Sequence, residues 1–102
     1  MRLDKDGTLH VKSDYRYFTQ ERFGYKPNTV RVVDEDEFDM CCDAVRIMVH
    51  PVGDGIEHFD PFTRAIIGVY DITDVIPVKL PSDEKLLLIA WEEDQWEEEA
   101  KS

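Results

Sequence analysis

The densest group of chemically able side chains is the stretch Gly24-Tyr25-Lys26-Pro27-Asn28-Thr29-Val30-Arg31. It holds an ammonium, a hydroxyl and a guanidinium close together. If residues 28–33 are extended, Thr29 and Arg31 point to one face, because side chains alternate along a strand. Lys26, just before that strand, leans toward the same face. The trio would donate hydrogen bonds suited to a carbonyl, a phosphate or a nucleobase edge. Tyr25 is expected to stand exposed beside them and to offer a ring for stacking. The neighbouring Tyr15, Tyr17, Phe18 and Phe23 read mainly as core. The competing reading of the whole stretch is a polar strand face turned to water.

Two other clusters carry groups capable of chemistry. His50, Asp54, Glu57, His58 and Asp60 gather around a turn, yet they lack the tight ligand spacing of a zinc site, so no metal is expected. Cys41-Cys42 lies among acids, which raise thiol pKa values, so the pair reads as small buried hydrophobes. No cofactor is implied.

Several elements must position the trio. Asp4-x-Asp6-Gly7 between Met1–Leu3 and Thr8–Val11 predicts a small hairpin. Ser13 reads as an N-cap of a helix over 14–23, with Asp14 in its first turn and Gly24 as its stop. Pro27 bars a helix, and the β-branched run after it predicts a strand over 28–33. Residues 34–43 read as a loop or short helical turn with Phe38 and Met40 dipping inward. Strands follow over 44–50, over 62–76 with a bulge or bend at Gly68, and over 85–91, the last apolar on both faces and hence central. The tail beyond residue 91 could continue as a helix anchored by Trp96. The sum is an α+β fold: a small, partly open β-barrel of about five strands with one N-terminal helix. Residues 1–91 form the single domain and 92–102 an acidic tail.

Composition limits the function. The chain has 102 residues, with 23 acids against 12 bases and a net charge of −11. Six acids fall in 34–43 (Asp34, Glu35, Asp36, Glu37, Asp39, Asp43), and six more crowd the tail, Glu97, Glu98 and Glu99 among them. Residues 2–33 carry seven bases and four acids. Sequence-blind binding to duplex DNA needs many cationic contacts and is not expected. No apolar run approaches the ~20 residues of a membrane helix, so no membrane partner is expected. The opening residues show no secretory pattern, and adjacent cysteines build no disulfide framework, which together predict a cytoplasmic protein.

The spacing Gly24-x-Lys26-x-x-Thr29-Val30-Arg31, after a short aromatic helix and before an acidic turn, resembles the signature of ASCH domains, members of the PUA-like β-barrels. Phe62-Thr63-Arg64 to Ile72 and the closing Leu87–Trp91 resemble later strands of short phage ASCH-like proteins. The resemblance implies a PUA-like barrel over roughly residues 14–91. It also implies a polar pocket formed by Lys26, Thr29 and Arg31. Small bacterial ASCH members include amidohydrolases that cleave acetylated cytidine with a lysine, a threonine and a glutamate. Lys26 and Thr29 match two of these. The insert that carries the glutamate is missing, and Asp74, Asp83 and Glu84 do not clearly replace it. The resemblance therefore implies a binding module for a nucleoside, a nucleotide or a single-stranded RNA end, rather than an enzyme. Two other readings stand beside it. One is an acidic protein–protein inhibitor of the phage anti-defence type, which presents Asp34 to Glu37 and Glu97 to Glu99 to a basic protein as a nucleic-acid mimic. The other is amide hydrolysis on a modified nucleoside.

Overall fold

The computed structural model describes residues 1–53, 55, 58–75, 77 and 79–92. Their order is β1 (Arg2–Leu3), β2 (Thr8–Ser13), α1 (Tyr15–Arg22), β3 (Asn28–Val33), α2 (Glu35–Asp43), β4 (Arg46–Pro51), β5 (Phe62–Asp71) and β6 (Lys85–Trp91). The tail's Glu97, Glu98, Glu99 and Trp96, and Asp54 and Glu57 of the histidine turn, lie outside the described residues.

The six strands form one sheet in the order β1-β2-β4-β5-β6-β3. Every pairing is antiparallel except β2 with β4. A parallel pair needs a long crossover, and α1, β3 and α2 all lie within it. The sheet curls into a half-barrel. Its interior is filled by alternate residues: Leu9 and Val11 of β2, Ile47 and Val49 of β4, Leu87 and Ile89 of β6, all essentially buried. Each such side chain contributes about 1.5–3 kcal/mol through removal from water. β6 is paired on both sides, by β5 and β3, as its two-faced apolar character predicts. β5 shifts register between Ile66 and Gly68, at the expected bulge.

Three local expectations are corrected. The N-cap of α1 is Asp14, whose carboxylate accepts from Tyr17 N–H, while Ser13 is the buried last residue of β2. Residues 35–43 form a true helix: Asp34 and Glu37 close a reciprocal capping box, and Glu35 and Asp36 sit in the first turn, where the helix dipole favours acids. Phe38 and Met40 do pack against the core and Cys41 is buried, but Cys42, expected to be buried with it, lies on another side of α2 and is exposed. Burial, reinforced by Cys42 and Glu37, pushes the Cys41 thiol up to about 11, which keeps it unreactive. The third correction concerns the α1 aromatics. Phe18 is buried, whereas Tyr15, Tyr17 and Phe23 are exposed; Tyr25 is exposed, as expected. The inward face of α1 is Phe18 with Glu21, one turn that a helix of eight residues can bury.

Two turns hold the frame. Gly24 ends α1 with φ +84°, a left-handed conformation that costs other residues about 1–2 kcal/mol. Gly24→Ala is expected to lower stability by about 1 kcal/mol, seen as a lower urea midpoint at constant slope; an unchanged midpoint would show that the turn needs no glycine. In the first hairpin, Asp4 accepts from the N–H groups of Asp6 and Thr8 and bonds His10 Nε2 at 2.9 Å. The His10 bond, above all, lowers the Asp4 carboxyl from 3.8 to about 2. The unfolded chain therefore binds this proton first, and the stabilisation fades as pH falls from about 4 to about 2. Asp4→Asn is expected to remove that component from an acid-unfolding profile, and superimposable wild-type and variant profiles would exclude it.

Candidate functional site

The two edges of the curled sheet approach each other without pairing. β1 pairs with Leu9 and His10 of β2 and then ends, so it no longer flanks Val11–Ser13. β3, at the opposite edge, faces this stretch through its side chains. Thr29, Arg31 and Val33 form the inner face of β3, and Val30 and Val32 are exposed on the outer one. Arg31 crosses the gap. Its NH1 donates to the Lys12 carbonyl at 2.7 Å, its NH2 to Ser13 Oγ at 2.8 Å and its Nε to Thr29 Oγ1 at 2.9 Å. Partial burial lowers the Arg31 pKa, against the opposing pull of Glu21; a guanidinium stays charged regardless.

The network continues beneath. Ser13 Oγ donates to Glu21 Oε1 at 2.8 Å. Lys26 Nζ lies 3.4 Å from Glu21 Oε2 and donates to the Asn28 carbonyl at 3.2 Å. The Glu21 side chain is fully buried, whereas that of Lys26 is a quarter exposed. A buried carboxylate is costly unless paired and hydrogen-bonded, and here β2 supplies one partner, Ser13, and the segment after Gly24 the other, Lys26. Lys26 Nζ also stands 5.3 Å from the centre of the Tyr17 ring, within cation–π range.

A concavity of about 580 Å³ opens over this network, within the range of small-molecule sites. Lys26, Thr29 and Arg31 all line it, with Ser13, Tyr17 and Lys12 among the other walls. Tyr25 is not among the lining residues and points to solvent, 85% exposed; the aromatic at the rim is Tyr17. The charged lining groups are Lys12, Lys26 and Arg31 against Asp14, with Glu21 directly beneath Lys26. This weakly positive balance suits a neutral or singly charged ligand. Thr29 is 2% exposed and accepts from Arg31, and no described residue takes its hydroxyl proton, which leaves a donor at the floor.

Glu21 and Ser13 escaped the sequence reading. The available signal for Glu21 was its place three residues after Phe18, on the same helix face. For Ser13 it was the alternation Leu9, Val11, Ser13. The acidic residues sort differently. Asp34 and Glu37 are engaged with each other's backbone in the capping box, and Asp34, Glu35 and Asp36 are exposed. Among the described residues no three His, Cys, Asp or Glu side chains are arranged to hold a metal ion together, and no helix is long and apolar enough to cross a membrane. No protein-family model matches the chain, and no curated protein is similar to it.

Arg31→Lys keeps the charge and loses the fork. It is expected to cost about 1.5–3 kcal/mol in urea unfolding, since it breaks charge-assisted bonds across the seam. Arg16→Lys on the exposed side of α1 is expected to change little, and equal effects at the two sites would show that the seam bonds contribute nothing special.

Proposed function

We propose that the chain is a small ASCH-like, PUA-like binding module that takes a nucleoside, a nucleotide or a single-stranded RNA end into the seam between β2 and β3. One observation carries this reading: Lys26, Thr29 and Arg31 line a single concavity and are joined there through Ser13 and Glu21. Lys26 keeps donor capacity beyond Glu21 and Asn28. Thr29 offers its hydroxyl proton. Tyr17 offers a ring, and stacking on such a ring contributes about 1–3 kcal/mol per base. Arg31 acts mainly as a clasp that fixes the pocket's shape, because both its terminal nitrogens and Nε already donate within the protein.

A second reading has an observation of its own. The resemblance to the amidohydrolases lacked a carboxylate, and Glu21 brings one to 3.4 Å from Lys26. It arrives from α1 rather than from a later insert. With a lysine, a threonine hydroxyl and a carboxylate in one network, hydrolysis of an acylated nucleoside is the reaction to assay. The inhibitor reading rests on the acidic clusters, of which Asp34 and Glu37 already serve to start α2.

The test is equilibrium titration of the protein with nucleosides, nucleoside monophosphates and short single-stranded RNA. Saturable binding is expected, weakened at least about tenfold by Lys26→Ala and by Tyr17→Ala. Acetylcytidine turnover that disappears in Lys26→Ala and Glu21→Gln would move the assignment to the enzyme. Absence of any saturable binding would defeat the module.

A further inference from the structure

The outer face of β1, β2 and β4 carries a second group of polar side chains, away from the core. Leu9 and Val11 of β2 and Ile47 and Val49 of β4 point inward, so Arg2, His10, Lys12 and His50 point out. Strand register brings them together: Arg2 lies opposite His10, and Lys12 opposite His50. His10 Nδ1 and His50 Nε2 are 2.9 Å apart, and His10 Nε2 is 2.9 Å from Asp4 Oδ2. Asp4, His10 and His50 thus form a continuous hydrogen-bonded line. A concavity of about 410 Å³ opens beside it, lined by Arg2, Lys12 and both histidines.

The charge here opposes that of the whole chain. Arg2 and Lys12 form no ion pair with any described residue. Asp4, the nearby carboxylate, is already committed to His10 and to the hairpin N–H groups. Among the described residues, the charged groups facing the two rings are Arg2 from β1, Asp4 from the hairpin and Lys12 from β2. Met48, opposite His10 on β4, is uncharged.

We propose that this face is a binding site for a tetrahedral oxyanion, a phosphate group above all, held by Arg2 and Lys12 and by His50 at the end of the Asp4–His10–His50 line. The line sets the proton logic. Asp4 is an acceptor, so His10 Nε2 carries a hydrogen. While the histidine pair holds no extra proton, His10 Nδ1 accepts from His50 Nε2, and His50 Nδ1 is a bare lone pair. One added proton leaves one hydrogen in the middle bond, whichever way that bond runs, and puts the other on His50 Nδ1. That N–H is the donor an oxyanion requires. Burial first, then His10, Arg2 and Lys12, lower the His50 pKa. An anion between these cations opposes the last three effects. Binding is therefore coupled to uptake of one proton. Lys12 also lines the seam concavity, so one ligand can span both, but the site stands on its own residues.

The experiment follows the imidazole nitrogens of the full chain by NMR while inorganic phosphate or sulfate is added. Saturable shifts of His10 and His50 are expected, together with binding that weakens about tenfold per pH unit for sulfate once the pair titrates, as one linked proton requires. Sulfate keeps its charge over this range, which isolates the protein's proton. Arg2→Gln with Lys12→Gln is expected to weaken binding at least about tenfold at low salt. Both sites are exposed, and an unchanged far-ultraviolet spectrum verifies the fold. His50→Gln is expected to abolish the pH dependence, and Arg16→Gln, on the exposed side of α1 and outside both concavities, to leave sulfate binding as it was. A 5′-mononucleotide that binds more tightly than phosphate, with the advantage lost in Lys26→Ala, would identify a nucleotide phosphate as the source; equal affinities would identify the free ion. No saturable shift, or shifts unaffected by the Arg2/Lys12 substitutions, would overturn the proposal.

Discussion

The guanidinium of Arg31 spans a gap between the two edges of the curled sheet, where backbone pairing stops. On one side stands β3, which pairs with β6 and has no second strand partner among the described residues. On the other stands the end of β2, beyond the reach of β1. A full barrel would close this gap with ladder hydrogen bonds and fill it with apolar side chains. Here a planar fork does the joining, and a fork needs acceptors: the Lys12 carbonyl, Ser13 Oγ and Thr29 Oγ1. α2 supports the same closure from the side, packing against β1 at one edge and against β3 and β6 at the other. The seam is therefore polar by construction, and its concavity is a consequence of how the sheet closes.

Glu21 follows from that arrangement. A guanidinium and an ammonium brought toward the interior demand a counter-charge, and a carboxylate with no solvent contact demands donors. Ser13 connects the two, donating to Glu21 and accepting from Arg31. Each member fixes the orientation of the next, which is what a binding surface needs from the residues behind it. The weak positive balance at the seam contrasts with the chain's charge of −11. Much of the acid lies elsewhere, and in α2 it has a local purpose: a capping box and a favourable helix dipole.

Much of the frame was readable from local chemistry. The Asp4–Gly7 turn, the strand after Pro27, the bulge at Gly68 and the stop at Gly24 each depend on residues adjacent in the chain. Other parts were readable and missed. Asp34 and Glu37 have the spacing of a capping box, but the acidic run hid the helix's weak apolar pattern. Ser13 and Asp14 both suit an N-cap, and the choice between them was decided when burial claimed Ser13 for β2. The tyrosines of α1 looked like core because they are aromatic; a helix this short buries one turn, and Phe18 and Glu21 take it.

By itself the sequence determined the alternation that sets Thr29 and Arg31 on one face, the breaks that end each element, and the separation of acidic segments from a mildly basic first third. Only the tertiary structure decided that β2 and β4 run parallel, that Glu21 meets Lys26 beneath the seam, and that His10 meets His50. The reason is physical. Turn and strand preferences act over a few residues, whereas these pairings depend on how a twisted sheet curls and which of its edges meet, and that is fixed by the packing of the whole core at once.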